Sequence, residues 1–291
     1  MNLDLTDLSN IKKLLTYYNL SANKKLGQHF LTDREALNAS LAAANLTTED
    51  FVVEVGPGFG TLTMALAEVS GRVLAIETDP KMLAILRPMV NGLANVEILP
   101  ANILNVRPEE IYERFTAWSK ARTSKTHYKV VSNLPYYITS AIIKFFLTAK
   151  KRPQQMVLMV QKEVAERITA TPGEMSVLAV SVQFYAAAEI VMIVPNTSFW
   201  PKPVVDSAII SITPFTKLPE VNEKKFFRLV KAGFGERRKQ LHNSLEGGLM
   251  MEVEAVAKAL SEAGIDGKTR PQDLAIEQWI NLYNALGEEN L

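Results

Sequence analysis

The sequence predicts an α/β chain in two parts: a mostly parallel sheet with an antiparallel edge hairpin, followed by a small all-helical C-terminal domain. Three observations carry this. Strand-like apolar runs alternate with amphipathic helical stretches from about residue 34 to 212. A glycine-rich turn follows an early strand, and an acid ends the next one. After Pro214 the strand-like runs stop and only helical periodicity remains. Alternation of this kind implies βαβ units joined by right-handed crossovers.

The elements follow in order. Phe51-Val-Val-Glu-Val55 reads as a buried strand, and residues 61–69 place Leu62, Ala65, Leu66 and Val69 at helical spacing. Residues 72–76 form a second strand. Residues 80–90 form a helix with Pro80 in its first turn, where the missing N–H is no loss. A strand at 96–99, a proline-opened helix at 108–118, a strand at 128–132, a helix at 139–149 and a strand at 155–160 continue the alternation. Strands at 190–194 and 207–213 have a proline-rich loop and no helix between them, so they can pair as the edge hairpin. Helices are expected at 223–233, 237–246, 252–263 and 271–286. The domain boundaries are therefore 1–215 and 216–291, with Pro219 in the linker.

Composition bounds the chemistry. With 291 residues, 47% hydrophobic and 22% charged, the chain has the balance of a folded globular protein. There is no cysteine. That excludes a disulfide framework, cysteine-ligated metal and a thiolate nucleophile. No histidine pair or acid cluster suggests a metal site, so none is expected. The apolar runs are too short to span a bilayer. Asp4 and Asp7 stand among the N-terminal leucines, unlike the basic-then-apolar plan of a secretory signal. A cytoplasmic protein is the expectation.

Gly56-Pro-Gly-Phe-Gly60 follows a strand and opens a helix. Glycines there let backbone N–H groups approach a ligand closely. Glu77 ends the next strand, 21 residues after Gly56, where an acid can accept hydrogen bonds from ribose hydroxyls. This pair fits a dinucleotide or S-adenosylmethionine. The spacing Gly-x-Gly-x-Gly departs from the dinucleotide fingerprint and disfavours a nicotinamide.

Asn133-Leu-Pro-Tyr136 ends the fourth of these strands, and ligands of open α/β sheets bind beyond the carboxyl ends of strands. An adenine amine is a poor nucleophile because its lone pair is delocalised into the ring. Two acceptors gripping its N–H bonds favour the geometry in which the lone pair points at an electrophile. The Asn133 side-chain oxygen and the Leu134 carbonyl can be those acceptors. Pro135 fixes the turn, and Tyr136 offers an aromatic face to the base.

The segments Asn23-Lys-Lys-Leu-Gly-Gln-His-Phe-Leu31, Glu54-Val-Gly-Pro-Gly-Phe-Gly60, Asn133-Leu-Pro-Tyr136, Gln161-Lys-Glu-Val164 and Phe199-Trp-Pro-Lys-Pro-Val-Val-Asp-Ser207 occur in order. Together they resemble the ribosomal RNA adenine dimethyltransferases. Phe234-Gly-Glu-Arg-Arg-Lys-Gln-Leu-His-Asn-Ser-Leu245 is similar to the small-subunit enzymes of that family. The resemblance covers about residues 21–286.

It implies a Rossmann-like methyltransferase domain over 1–215, whose first 33 residues contact cofactor and RNA, and a helical RNA-binding domain over 216–291. It implies S-adenosylmethionine as cofactor. His29 and Leu31 would touch it, Gly56 and Gly58 would meet its amino acid end, Glu77 its ribose and Asn102 its adenine edge. Asn133 would sit between cofactor and target. Leu134, Pro135 and Tyr136 would complete the catalytic corner, and Phe199 would stack on the target base opposite Tyr136. The partner implied is 16S ribosomal RNA in an immature 30S subunit, dimethylated at two adjacent adenines near its 3′ end by a monomeric enzyme.

Two positions depart from the family. His29 stands where many relatives have Asn, which changes little because both hydrogen-bond. Asn102 stands where Asp is usual, and this loses charge assistance toward the cofactor's amine.

Among several basic clusters, Arg237, Arg238 and Lys239 are expected to meet phosphate, whereas the cluster at 120–129 reads as a solvated face. His127 reads as a solvated loop residue and His242 as a backbone or RNA contact. Three other functions stay open at this level. They are a large-subunit resistance dimethylase, a non-enzymatic assembly factor and a nicotinamide oxidoreductase.

Overall fold

A computed structural model describes residues 3–20, 28–119, 127–236 and 239–291. The chain divides into two compact units. Met1–Ala165 with Ala188–Pro214 form the first, and Glu166–Ala187 with Phe215–Leu291 form the second.

The first unit begins with α1 (Leu8–Tyr17), whose first turn is capped by the Asp7 carboxylate. A two-residue strand β1 (Phe30–Leu31) leads to α2 (Arg34–Ala44), capped by Asp33. Then come β2 (Phe51–Val55), α3 (Thr61–Val69), β3 (Arg72–Glu77), α4 (Pro80–Met89) and β4 (Val96–Pro100). They are followed by α5 (Pro108–Ser119), β5 (Lys129–Asn133), α6 (Thr139–Leu147) and β6 (Gln155–Gln161). Past α7 (Lys162–Ile168) and α8 (Val177–Gln183), the sheet is completed by β7 (Ala186–Val194) and β9 (Ser207–Pro214). The short strand β8 (Phe199–Trp200) lies between them and pairs with β1.

The seven-stranded sheet has the order β4-β3-β2-β5-β6-β9-β7. Pairs from β4 to β6 are parallel, and β9 runs antiparallel to β6 with Val157 opposite Ser211. β7 is the last strand and alternates buried with more exposed positions, as an edge strand with one wet face should. It begins at Ala186, earlier than the expected 190.

Strand order reverses between β2 and β5, which is where an open α/β sheet presents its crevice. The ladder there pairs Val52 with Lys129 and Val53 with Val130. Beyond it the Ser132 hydroxyl takes over, donating to the Val55 carbonyl at 2.5 Å and accepting from the Val55 N–H at 3.3 Å. The strands are thus pinned at their carboxyl ends by a side chain rather than a ladder. At the opposite end, the buried Lys129 ammonium donates to the carbonyls of Ala44 and Asn45 at 2.9 and 3.0 Å and lies 3.7 Å from the Asp50 carboxylate. A cation on the last carbonyls of α2 satisfies groups that no helical N–H reaches.

In the second unit, α9 (Glu223–Gly233), α10 (Leu241–Leu249), α11 (Val253–Glu262) and α12 (Ile276–Leu286) pack around buried Phe226, Leu229, Leu245, Leu260 and Trp279. Gly233 is required by that packing: a Cβ on it would come within 2.5 Å of the Trp279 ring and 2.9 Å of Leu241.

The expected boundary at 215/216 falls one residue from the division, but a continuous second domain is not what forms. Residues 166–187 join it. The Phe184 ring lies 4.8 Å from Phe226, the Tyr185 hydroxyl donates to Glu223 at 2.7 Å, and the Gln272 carbonyl accepts from the N–H groups of Gly173 and Met175. The helix expected from 237 begins at Leu241, after an extended Gln240. Leu241, Leu245 and Leu249 supply its buried stripe, which the preceding charged residues cannot extend. Among the described residues no helix is long and apolar enough to cross a membrane.

Candidate active site

A cleft of about 190 Å³ opens beyond the carboxyl ends of β2, β3 and β5. It is lined by ten of the residues singled out in the sequence: His29, Leu31, Gly56, Gly58, Glu77, Asn102, Asn133, Leu134, Pro135 and Tyr136.

One side is made of backbone. Gly56, Gly58 and Gly60 have φ of +71°, +58° and +92°, a region that side-chain-bearing residues avoid. At Gly60 a Cβ would come 2.9 Å from Leu86, so both conformation and space require glycine at the start of α3. The turn is tied down from β3. The Gly56 N–H donates to the Ile76 carbonyl at 2.9 Å, and the Gly58 N–H donates to Glu77 Oε2 at 3.3 Å. Glu77 Oε1 accepts from the N–H groups of Thr78 and Asp79, both at 2.8 Å. Three backbone donors therefore occupy most of the carboxylate's capacity of about four hydrogen bonds. Burial still raises its pKa above the usual carboxylate range, against the lowering effect of those donors.

Glu54 is a second acid of the cleft wall, one to which the sequence alone assigns no role. It sits in a strand whose five residues are all buried. Thr63 donates its hydroxyl to Glu54 Oε2 at 2.6 Å. Burial pushes the Glu54 carboxyl up to about 8, with a smaller upward push from Glu77. The signal was available: an acid inside an otherwise apolar strand needs a reason to be there.

Asn102 is exposed at the end of β4, and its Oδ1 accepts the Leu104 N–H at 3.0 Å, capping a short 3₁₀ turn. Asp79 caps α4 through Lys81 and accepts from the Gln28 amide at 3.0 Å. Asp79 and Gln28 also line the cleft.

The β5 side is different. Asn133 is half-buried and its side-chain amide hydrogen-bonds to none of the described residues. Leu134 is buried, with its N–H donated to the Met159 carbonyl at 3.1 Å. Pro135 packs toward the glycine turn, where a Cβ on Gly56 would be 3.5 Å from the proline ring. The Tyr136 hydroxyl is 2.7 Å from Ser207 Oγ, and its ring faces His29 at 5.8 Å and 24°. Burial raises the Tyr136 pKa, so it remains a neutral phenol. His29 Nδ1 is 2.6 Å from the Pro201 carbonyl, which can only accept, so that nitrogen donates.

Phe199 corrects the expectation from sequence. The resemblance stacks it on a base opposite Tyr136, but its ring is 3% exposed and packs with Leu31, Val131, Met159 and Ile209. It does not line the cleft. The cause is strand alternation: β1 and β8 pair antiparallel with Leu31 opposite Phe199, so both point inward.

In the second unit, Arg237 and Arg238 lie outside the described residues. Lys239 is exposed and pairs with the Glu236 carboxylate at 2.8 Å. Lys224, Arg228 and Lys231 are exposed on α9, and Arg228 also donates to the Leu291 carbonyl at 3.1 Å. His242 is 2.8 Å from Glu246, one helical turn on. His127 is exposed. Among the described residues no group of three or more His, Asp or Glu could hold a metal.

Chemically, the cleft joins a backbone cradle with a buried carboxylate to a corner whose amide is open. The first can hold an amino acid and a ribose, and the second can grip the N–H bonds of an amine.

Comparison with known proteins identifies the family. The model of the family described as ribosomal RNA adenine dimethylase matches residues 19–288. A relative named ribosomal RNA small subunit methyltransferase A, from Dehalococcoides mccartyi, is 43% identical over 94% of this chain and 92% of its own. Among solved structures, the 23S rRNA methyltransferase ErmE superposes with a TM-score of 0.69 at 28% identity, covering 88% of this chain and 99% of its own. A dimethyladenosine transferase from Plasmodium falciparum superposes with a TM-score of 0.70 at 23% identity, covering 87% of this chain and 96% of its own, which is a likeness of fold.

Proposed function

The chain belongs to the ribosomal RNA adenine dimethylase family, and we propose that it dimethylates two adjacent adenines near the 3′ end of 16S ribosomal RNA, using S-adenosylmethionine. It acts as a cytoplasmic monomer on the immature 30S subunit. The observation that carries this reading is the Asn133 amide, half-buried at the switch point and without a partner among the described residues, beside the glycine cradle and Glu77.

The residues fit the cofactor. Gly56 and Gly58 would keep its amino acid end free of side-chain bulk, Glu77 would accept from its ribose, and Asn102 would meet its adenine. When bound, the cofactor supplies a methyl group on positively charged sulfur. The target adenine leaves its stack to reach the cleft. Asn133 Oδ1 and the Leu134 carbonyl accept its two amine hydrogens and aim the lone pair. Tyr136 holds the base by its ring. Attack precedes proton loss, so no strong base is required. Catalysis is positioning and electrostatics.

Small-subunit specificity is supported by the 43% relative, whose name carries it. The fold likeness to a large-subunit enzyme makes 23S RNA the alternative substrate to test. Asn133→Ala should abolish methyl transfer to unmethylated 30S particles while binding of cofactor and RNA persists. Equal activity on 23S and 16S RNA, or retained activity in Asn133→Ala, would refute the reading.

A further inference from the structure

Four phenyl or phenol rings line the cleft, and three are already engaged. Phe30 and Phe59 stack on each other at 3.9 Å and are buried. Tyr136 faces His29 and is tied to Ser207. The fourth, Tyr137, is 61% exposed, and among the described residues neither its ring nor its hydroxyl has a partner.

Its backbone is nonetheless anchored. Tyr137 is the middle residue of a 3₁₀ turn, Tyr136–Ile138. The Pro135 carbonyl accepts from the Ile138 N–H and from the Thr139 hydroxyl, each at 3.2 Å. Leu134 before the turn and Thr139 after it are both buried. An anchored turn therefore presents a bare aromatic face four residues past Asn133. A tyrosine so held offers large contact area at small entropic cost, because only two side-chain torsions remain to be fixed.

Base flipping supplies an occupant. Extruding one adenine breaks its stacking with both neighbours and leaves a flanking base with an uncovered face. Aromatic side chains take up such faces regardless of base identity. We propose that Tyr137 stacks on the nucleobase beside the target adenine at the mouth of the cleft, and so sets the affinity for the RNA strand rather than the rate of methyl transfer. This rests on the reading that the chain methylates RNA.

The test is steady-state methylation of unmethylated 30S particles by wild type, Tyr137→Ala and Tyr137→Phe, with cofactor binding and thermal unfolding measured alongside. Tyr137→Ala should raise KM for the particle about tenfold, equal to about 1.4 kcal/mol and at the low end for base–aromatic stacking. Its kcat, cofactor affinity and melting temperature should stay at wild-type values, and Tyr137→Phe should restore KM. An RNA fragment carrying 2-aminopurine beside the target should fluoresce more brightly in complex with Tyr137→Ala than with wild type. The proposal is overturned if KM is unchanged in Tyr137→Ala, if kcat falls in place of KM, or if Tyr137→Phe behaves like Tyr137→Ala. Wild type that transfers no methyl group to either ribosomal RNA would instead overturn the parent reading, and this inference with it.

Discussion

The two sides of the cleft are built on opposite plans. On the β2–β3 side, three positive-φ glycines fix the backbone, and Glu77 is held by three N–H groups. On the β5 side, the Asn133 amide has no partner among the described residues and Tyr137 stands in solvent. A ligand of constant shape is best met by groups that are already oriented, because none of its binding energy then goes into ordering the protein. A macromolecular substrate that must enter and leave is met by side chains left open.

Four substitutions test that contrast, beginning with the largest effect. Asn133→Ala should bring methyl transfer below detection, a loss of kcat beyond the roughly 100-fold scale for removing one positioned polar group at a reacting centre. Cofactor affinity measured by calorimetry should change little, and a large loss there would put Asn133 on the wrong side of the comparison. Glu77→Ala should do the reverse. Cofactor affinity should fall roughly 10- to 100-fold, as expected for hydrogen bonds to a charged group at about 1.5–3 kcal/mol, while RNA binding is retained.

Glu54 makes the third, through pH. Its folded pKa of about 8 lies above the ordinary carboxylate value of 4.5, so the folded state holds the proton more tightly than the unfolded chain. Stability is then fully present below about pH 4.5 and declines as pH rises toward 8. Each tenfold gain in proton affinity on folding is worth at most about 1.36 kcal/mol. Glu54→Gln, neutral at every pH, should remove the larger part of that decline, at least about 2 kcal/mol at pH 8, with Glu77 supplying the remainder. Melting temperatures of the two proteins across pH 5 to 9 check it, and parallel curves would contradict it. Smallest is Asn102→Asp. The carboxylate keeps the cap on Leu104 and adds charge assistance, which should tighten cofactor binding several-fold. Unchanged or weaker binding would show that Asn102 does not face the cofactor.

The legible parts of the sequence were those where the backbone itself imposes the residue. Gly56 and Gly58 are needed for their φ values, Pro80 suits the first turn of α4, and Glu77 and Asn133 end strands, so spacing alone located them. The burial of Phe199 was not legible. Nothing in Phe199-Trp200 says which ring turns inward, since that follows from pairing with Phe30 and Leu31, far away in the chain. The β1–β8 ribbon is two residues deep and too short to leave a periodic signal. Residues 166–187 escape the sequence for a related reason: their place in the second unit depends on Phe184 meeting Phe226 and on backbone contacts to Gln272. Glu54 was readable as an anomaly in an apolar strand, but only the structure shows its Thr63 partner and the cleft it lines.

The central claim is that the open corner at Asn133 acts on adenine amines of small-subunit RNA. It is tested most directly by incubating the protein with S-adenosylmethionine labelled in its methyl group and with unmethylated 30S particles, then digesting and mapping the RNA. The label should appear as dimethyladenosine at two adjacent positions near the 3′ end of 16S RNA and should vanish with Asn133→Ala. Label at another atom or site, or none from wild type, would contradict the account.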